Sequence, residues 1–435
     1  MVHEVEESGL KETEIGLIPQ DWEIARLREV ATAFVGGGTP STGKKEYWDG
    51  KIPWTTSSFI SDLYIGAGQR YITKKGLQNS ATKMVPRNNI LIGTRVGTGK
   101  IAINTVDVAI SQDLTGLIVN RQRAHVEYLA YVLLSGKVQE QIQSRNRGVT
   151  VKGIAREDLK TVSIPLPPLP EQRAIAFILS KIQHAIDQQD KIIQATRNLK
   201  KSLMQKLFTE GIGHTEFKET EIGRIPQSWD IAELSNVASE VQNGFACGKR
   251  AEDGIIQLRM DSILPDGRIN PEAYVRVPVP KSVSRYLLRQ DDVLFNNTNS
   301  VNLIGKTAIF RGEFGECTFS NHLTRIRVNP TKSLPDWLLY YLIRRWELRY
   351  FKSICMRHVG QAGIKKADLL SLPVPLPTID EQQEIVHILT QVGAKTEVEE
   401  RRKVVLQLLI KTFLHKLMTG EIRVKDVDLG VISVS

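Results

Sequence analysis

Two Gly-Lys pairs are the first residues whose spacing could support chemistry. Residues 94–101 read TRVGTGKI and residues 300–307 read SVNLIGKT, which approach the Gly-rich loop that binds nucleotide phosphates. Each segment lacks the first glycine of that motif, and each precedes a predicted strand rather than a long helix. The spacing therefore argues against an ATP site. It favours a hairpin that presents Lys100 or Lys306 to the phosphates of DNA.

Other catalytic patterns are missing from the sequence. No G-x-G-x-x-G follows a predicted strand, and no acidic-or-Asn Pro-Pro-aromatic tetrapeptide of the adenine methyltransferases occurs. The eight histidines include no H-x-x-x-H pair of the kind that binds a metal on a helix. We therefore predict neither a catalytic nor a metal site in this chain.

Polar side chains that can pair with bases follow several predicted strands. Asn and Gln amides pair bidentately with adenine, whereas Arg and Lys address guanine and phosphate. An ordinary turn or a surface charge remains the alternative for each residue. The candidate DNA-binding residues are Arg95, Lys100, Gln112, Arg259, Asn296, Asn297, Asn299, Lys306, His322 and Arg325.

The elements that must position these residues belong to a folded, basic chain. It has 435 residues, 41% hydrophobic and 24% charged, with a formal net charge of +10. No apolar run reaches the ~20 residues of a membrane span. The three cysteines are widely spaced, which excludes a disulfide framework and a thiolate zinc site. These properties suit a soluble, cytoplasmic protein of two or three domains.

The basic excess lies in two separate blocks. Residues 33–163 contain 18 basic and 9 acidic side chains, and residues 241–370 contain 20 and 12. The rest of the chain has a net charge of −7. Chance surface charge is one interpretation of these blocks. The other is two lobes that each meet the phosphates of a nucleic acid.

The chain is an internal duplication. Residues 12–32 match residues 219–239 at 14 of 21 positions, at an offset of 207. Further matches follow in the same order at offsets of 209 and 210: SQDLTGLIVN with SNHLTRIRVN, GIAREDL with GIKKADL, and PLPPLPEQ with PLPTIDEQ. The middles, residues 33–110 and 240–319, are nearly unrelated. One frame therefore holds two different inserts, as expected of a protein that reads two different targets.

Each half has the same predicted order of elements. An I-P-x-x-W entry places Trp22 and Trp229 as core anchors, with stacking on a base as the alternative. Short strands follow, including residues 89–92, 100–103, 292–295 and 307–310. A helix is then predicted over residues 126–142 and over residues 336–354.

A Pro-rich segment and a long helix close each half. Residues 171–208 contain no Pro or Gly, residues 381–418 contain only Gly393, and either would span ~57 Å as a helix. Apolar residues three and four apart predict a coiled-coil seam. Gln189 and Glu399 are equivalent positions near the helix centres, where they either face each other or lie in solvent. The predicted seam residues are Ile178, Ile182, Gln189, Leu199, Ile388, Glu399, Leu406 and Leu409.

These duplicated motifs resemble the specificity subunits of type I restriction–modification systems. The resemblance rests on two copies of G-I-x-x-x-D-L, then P-L-P-x-x-x-E-Q, then a long helix closing in K-L-(F/M)-T, and it covers about residues 12–422. The segment GGTPS at residues 37–41 is similar to a common opening of that family's recognition domains. The second half has Asn243-Gly244-Phe245 instead, which predicts a different subtype of recognition domain.

The resemblance implies an α+β fold with two mixed α/β, strand-rich target-recognition domains in a tandem pseudo-twofold repeat. Two long antiparallel coiled-coil helices would join them. The implied segments are recognition domains at 1–164 and 212–374, spacer helices at 165–211 and 375–422, and a tail at 423–435. Each domain would read one half of a bipartite, asymmetric sequence in double-stranded DNA.

The resemblance also implies partners and cofactors. The chain itself would be non-catalytic and without a cofactor. It would bind two adenine methyltransferase (modification) subunits that use S-adenosylmethionine, and restriction subunits that use ATP and Mg²⁺. Two other functions remain open from the residues alone: a stand-alone methyltransferase or nuclease, and a coiled-coil adaptor that binds acidic protein rather than DNA.

Overall fold

Two compact units share the two long helices. The computed structural model describes residues 9–148 and 153–424. The first unit comprises the described residues up to Asp190 together with those from Arg401 onward, and the second comprises Lys191–Glu400. Each long helix therefore begins in one unit and ends in the other. The sequence-based segments instead treated each long helix as a separate piece.

The first unit is built around a five-stranded sheet of order β4-β12-β9-β10-β6 and a four-stranded sheet of order β7-β5-β11-β8. Two small antiparallel pairs, β1-β2 and β3-β13, complete it. The strands are β1 (Leu10–Thr13), β2 (Gly16–Pro19), β3 (Glu23–Arg26), β4 (Ala31–Gly36), β5 (Trp48–Thr55), β6 (Tyr64–Ile65), β7 (Arg70–Ile72), β8 (Lys83–Val85), β9 (Asn89–Gly93), β10 (Ile101–Asn104), β11 (Val108–Ile110), β12 (Leu114–Val119) and β13 (Ser163–Leu166).

The helices of this unit follow its sheets. They are α1 (Lys74–Gln78), α2 (Val126–Leu134), α3 (Gly136–Ser144), α4 (Arg156–Lys160) and the start of α5 (Leu169–Glu210). The prediction of one helix over residues 126–142 is wrong in one respect, because α2 and α3 are separate. Ser135 has extended backbone between them and its hydroxyl donates to the carbonyl of Val132. Ser followed by Gly is a poor helical pair, which explains the break.

The second unit repeats this plan. Its sheets have the orders β17-β24-β20-β22, β19-β18-β23 and β21-β26-β25, with the pairs β14-β15 and β16-β27. The strands are β14 (Phe217–Thr220), β15 (Gly223–Pro226), β16 (Asp230–Glu233), β17 (Ala238–Asn243), β18 (Ile255–Leu258), β19 (Tyr274–Val277), β20 (Val293–Asn296), β21 (Thr298–Asn299), β22 (Thr307–Ile309), β23 (Cys317–Phe319), β24 (Leu323–Val328), β25 (Met356–His358), β26 (Gln361–Gly363) and β27 (Pro373–Leu376).

The last four helices of the second unit correspond in order to α2–α5 of the first, whereas its first helix takes the place of a 3₁₀ helix at Leu27–Glu29. The helices of the second unit are α6 (Leu234–Val237), α7 (Pro335–Glu347), α8 (Tyr350–Ile354), α9 (Lys366–Leu370) and α10 (Ile379–Thr419). The helix predicted over residues 336–354 is likewise interrupted. Arg349 takes a left-handed conformation with φ 60° between α7 and α8, which ends the regular helix.

The two units share a core topology although the sequences of their middles are nearly unrelated, and β6, β8 and the β21-β26-β25 sheet are additions to that core. In the first unit β9 lies between β12 and β10, and in the second β20 lies between β24 and β22, all antiparallel. A parallel pair forms part of the second sheet in each unit, β5 with β11 and β18 with β23. The predicted frame with two different inserts is therefore one fold with two different surfaces.

The entry tryptophans are core residues, as the sequence predicts. Trp22 and Trp229 are fully buried, each in the main apolar cluster of its unit. Each indole N–H donates to the first glutamate of the next helical motif, at 3.0 Å for Glu171 and 2.9 Å for Glu381. Because the rings are enclosed and their one polar atom is bonded, the alternative of stacking on a base has no support.

The long helices run in opposite directions within each unit. In the first unit Glu171 pairs with Arg423 at 2.7 Å, and Asp190 pairs with Lys403 at 2.5 Å. In the second unit Arg197 pairs with Glu400 at 2.6 Å, while Glu381 accepts from the backbone of Ile212 at 3.0 Å. Within each unit, residue numbers along α5 therefore increase in the direction in which those along α10 decrease. The antiparallel arrangement was predicted, and α5 and α10 exceed the predicted lengths by a few residues.

The predicted seam is partly correct. Ile178 and Ile182 are buried, Ile388 and Leu406 are half-buried, and Gln189 and Glu399 are 4% and 1% exposed. The alternative that these two polar residues lie in solvent is therefore wrong.

Leu199 and Leu409 do not belong to the seam, because they are 50% and 39% exposed. Between residues 175 and 193 the buried residues of the first helix are 175, 176, 178, 179, 182, 186, 189 and 193, a span of 18 residues or five turns at ~3.6 per turn. A 7-residue repeat drifts by ~20° per heptad on such a helix, so the predicted positions leave the buried face.

The predicted tail lies outside the described residues, apart from Arg423 and Val424. Over the described ranges no helix is both long and apolar enough to cross a membrane.

Candidate nucleic-acid interface

The carboxyl ends of the parallel strands β18 and β23 bring two predicted residues together. Strand β18 ends at Leu258 and is followed by Arg259, and β23 ends at Phe319 and leads to His322 three residues on. The backbone N–H of Ser320 donates to the carbonyl of Leu258 at 2.9 Å, which ties the two strand ends to each other. Residues far apart in sequence thus meet at one edge of the sheet.

These strand ends enclose a cavity of about 250 Å³, here named the strand-end pocket. Its lining includes Ala246, Cys247, Gln257, Arg259, Ser320 and His322. Two hydrogen bonds fix the lining. Gln257 Nε2 donates to the carbonyl of Phe245 at 3.0 Å, and Arg259 Nη2 donates to the carbonyl of Cys247 at 2.8 Å.

The strand-end pocket contains polar atoms that lack partners. Gln257 Oε1, Arg259 Nε, Ser320 Oγ and His322 Nδ1 are all buried and make no hydrogen bond to the residues that the structure describes. Buried polar groups in folded proteins are normally paired, so four such atoms in one cavity require an explanation. They offer an acceptor, a donor and two groups that can serve as either. A ligand with a mixed polar edge fits this set.

The three predicted asparagines at the end of β20 and in the segment that follows it lie inside the unit rather than on its surface. Asn297 Nδ2 donates to Thr324 Oγ1 at 2.9 Å, and Asn299 Oδ1 accepts from the backbone of Ser300 at 2.7 Å. Asn296 is fully buried and donates to the carbonyl of Met260 at 3.3 Å. In this conformation their amides hold the loop that follows the strand. Their predicted contact with bases would require that loop to open.

Arg325 is buried and bonded to other residues of its own unit. It is 1% exposed, pairs with Glu240, and donates to the carbonyl of Leu287 at 2.9 Å. Burial lowers the pKa of its guanidinium. Its neighbour Arg327 pairs with Asp292 at 2.7 Å in the same network. The strand position that suggested a base contact thus faces the interior.

The lysines of the two Gly-Lys pairs make equivalent hydrogen bonds to backbone carbonyls within their own units. Lys306 Nζ donates to the carbonyl of Ile263 at 2.5 Å, and Lys100 Nζ donates to the carbonyl of Ile60 at 3.1 Å. Both acceptors directly follow a short 3₁₀ helix. Lys306 is 7% exposed and burial lowers its pKa, so the prediction that a hairpin presents this lysine to phosphate is wrong. Lys100 is exposed despite its tether.

The remaining two candidates lie on the first unit. Arg95 is exposed in the turn between β9 and β10, and Gln112 is exposed just after β11. Gln112 Oε1 accepts from Thr39 Oγ1 at 2.6 Å. Both side chains are available to a ligand.

The first unit has its own polar strand end, which residue types alone did not reveal. Strands β5 and β11 are parallel, with Ile110 opposite Thr55, as β18 and β23 are in the second unit. Thr56 follows β5 and donates to Gln69 Oε1 at 2.7 Å, close in the chain to the buried, unpartnered hydroxyls of Thr55 and Ser57. The position one residue after the strand thus holds Thr56 in one unit and Arg259 in the other. The feature that identifies these positions is the carboxyl end of a parallel strand pair, and no sequence motif marks it.

The duplicated Glu-Gln motif joins each set of sheets to its helix. Gln172 donates to the carbonyls of Pro167 and Arg123 and accepts from the backbone of His125, at 2.8–3.1 Å. Gln382 makes the same three kinds of bond, to Pro377, Lys332 and Leu334, at 2.9–3.1 Å. This Glu-Gln motif, which is part of the family resemblance, therefore has a structural role: it attaches the sheets to the long helix. Over the described residues no group of three or more His, Cys, Asp or Glu could hold a metal ion.

Comparison with known proteins agrees with this architecture. The sequence model of the type I restriction modification DNA specificity domain matches residues 19–197 and 272–408. The MjaVIII specificity subunit of Methanocaldococcus jannaschii is 26% identical, over 97% of this chain and 98% of its own length. The EcoKI specificity subunit of Escherichia coli is 23% identical, over 95% and 93%.

Solved structures share the fold. A chain from a study of complex assembly and conformational transition of the type I restriction–modification system matches with a TM-score of 0.59 at 19% identity, over 93% of this chain and 99% of that one. The specificity subunit from M. genitalium matches with a TM-score of 0.56 at 15% identity, over 91% and 96%. The paired units, the antiparallel helices and the duplicated motifs thus have one common explanation: the chain belongs to the family of type I restriction–modification specificity subunits.

Proposed function

We propose that this chain is the non-catalytic DNA-recognition subunit of a type I restriction–modification complex in the cytoplasm. Each unit reads one half of a bipartite, asymmetric DNA site. The observation that carries the proposal is one core strand order used twice with different side chains at the strand ends. Base edges are read by side chains, and a shared frame with different side chains reads different bases.

The charge distribution supports binding to DNA. The two basic blocks, residues 33–163 and 241–370, contain most of the strands of the two units, while the rest of the chain is net acidic. Lys and Arg side chains that neutralise phosphates supply affinity without sequence information. The sheets thus provide orientation on the duplex, and the strand ends provide specificity.

In this proposal the long helices set the spacing of the two half-sites in DNA and dock the catalytic subunits. The proposed partners are two adenine methyltransferase subunits, which use S-adenosylmethionine, and restriction subunits, which use ATP and Mg²⁺. The chain itself contributes no cofactor site. A stand-alone enzyme or a non-DNA adaptor is not favoured by the family to which the chain belongs.

Replacement of one middle segment tests the proposal. The chain is co-expressed with its modification subunit in a host without other adenine methylation, and the methylated sequences are read genome-wide. Exchange of residues 240–330 for the corresponding segment of a relative should change one half of the methylated sequence and leave the other half intact. Exchange of residues 33–110 is the matched control and should change only the other half. A change in both halves from either exchange, or no methylation dependent on the chain, would contradict the proposal.

A further inference from the structure

The strand-end pocket is the most unusual polar feature of the second unit. Four of its polar atoms are buried and unpartnered, on Gln257, Arg259, Ser320 and His322. The other buried side-chain atoms of this unit without a hydrogen bond to a described residue are Asn296 Oδ1, Arg325 Nε and Arg345 Nε, none of which lines the pocket. Four of the seven such atoms in the described part of this unit therefore lie together in one pocket.

We propose that the strand-end pocket is the base-reading subsite of the second unit, and that Arg259 recognises a guanine there. This inference rests on the proposed function and specifies which residue reads. A guanine exposes two acceptors in the major groove, O6 and N7, and Arg is their commonest specific partner. Arg259 is half-buried and lines the cavity, and its bond to the carbonyl of Cys247 uses one of its five N–H groups.

Other groups in the pocket suit a G·C pair. The cytosine of that pair offers an amino donor in the major groove, and the pocket supplies unpartnered groups able to accept, His322 Nδ1 and Ser320 Oγ. Gln257 lies deeper, with its amide fixed on the carbonyl of Phe245. Donor and acceptor groups thus lie side by side at one strand end, as a single base pair requires.

The first unit provides an internal contrast. At the position of Arg259 it has Thr56, whose hydroxyl bonds Gln69, and at the position of His322 it has Asp113. No arginine occupies the corresponding strand end there. The second unit therefore reads guanine by a means that the first unit does not possess, which agrees with an asymmetric site.

A duplex-binding series on the full chain, purified with its modification subunit, tests the inference. Each duplex changes one base pair of the site that methylation sequencing has defined. Arg259→Ala should abolish the preference for one G·C pair in the half-site assigned to residues 240–330, a roughly 5- to 150-fold loss of discrimination. Preferences at all other positions should stay unchanged. Arg289→Ala, an exposed arginine near the amino end of β23, is the matched control and should leave every preference intact.

Two results for Arg259→Ala would overturn the assignment. If Arg259→Ala keeps every preference, Arg259 reads no base. If it weakens binding to all duplexes by an equal factor, Arg259 contacts a phosphate or supports the loop, and the subsite is elsewhere. Arg259→Lys should restore part of the guanine preference, because lysine also addresses O6 and N7. A wild-type complex with no sequence preference at all would instead refute the proposed function.

Discussion

Single side chains explain why the duplicated motif is needed in this fold. Gln172 and Gln382 are buried amides that use both donor and acceptor atoms to join a Pro-rich segment to the loop before α2 or α7. A buried amide with all its hydrogen bonds made adds little net free energy of folding. Its removal leaves several buried backbone groups without a partner, which is costly. The motif is thus required for the attachment of sheets to helix, independent of what the sheets bind.

The neighbouring glutamines Gln382 and Gln383 allow a sharp test of this role. Gln382→Ala should lower the free energy of unfolding by about 1–3 kcal/mol, because the N–H of Leu334 and two carbonyls lose their partner. Gln383 is exposed, so Gln383→Ala should change it by less than about 0.5 kcal/mol. Urea unfolding followed by tryptophan fluorescence measures both. Equal effects of the two substitutions would contradict the assigned role.

Residue type alone could not distinguish candidate base contacts from internal ones. Arg325 and Lys306 were candidates because they are charged residues next to or within predicted strands, yet both are buried. Their partners come from distant segments: Glu240 is 85 residues from Arg325, and Ile263 is 43 residues from Lys306. Only the folded topology brings those groups together. Arg259 and His322, predicted by the same reasoning, instead meet at the strand-end pocket.

At the scale of elements, periodicity and turn residues predicted much of the fold. The tested strands, such as β9 (Asn89–Gly93) and β20 (Val293–Asn296), lie within one residue of their predicted starts. Both long helices and their antiparallel direction were also predicted. The parallel pairing of β5 with β11 and of β18 with β23 was not, because strand partners separated by more than 50 residues leave no local pattern. The strand ends that matter most for function therefore required the structure.

The position of the buried face on α5 has a consequence for stability. Ile193 is buried and Leu199 is half exposed, although a strict heptad frame would favour Leu199. Ile193→Ala should therefore cost about 2–5 kcal/mol, through lost burial and the cavity left behind. Leu199→Ala should cost less than about 0.5 kcal/mol. Chemical denaturation of the two variants gives the comparison, and a larger cost for Leu199→Ala would restore the heptad seam.

At the scale of the molecule, the first unit is built from two distant stretches of chain. Its apolar core includes Leu417 and Met418, which are buried, and the half-buried Phe413 and Leu414. Under the repeat these correspond to Leu207, Phe208, Leu203 and Met204 at the end of α5. Half of the chain therefore lacks a part of its core, but it carries a similar apolar segment that a second copy could use.

A fragment of residues 1–215 should consequently form a homodimer, in which each copy supplies its residues 191–215 to the other. The surface that Leu417 and Met418 cover in the full chain would otherwise be exposed, and burial of ~25 cal/mol per Å² of such area favours association. Sedimentation velocity measures the mass, and fragment 1–190, which lacks the donated segment, is the control and should not dimerise. With the modification subunit, the 1–215 dimer should direct methylation of a symmetric sequence, because both recognition surfaces are then the same. A soluble but strictly monomeric 1–215 fragment would contradict the equivalence of the two helix ends.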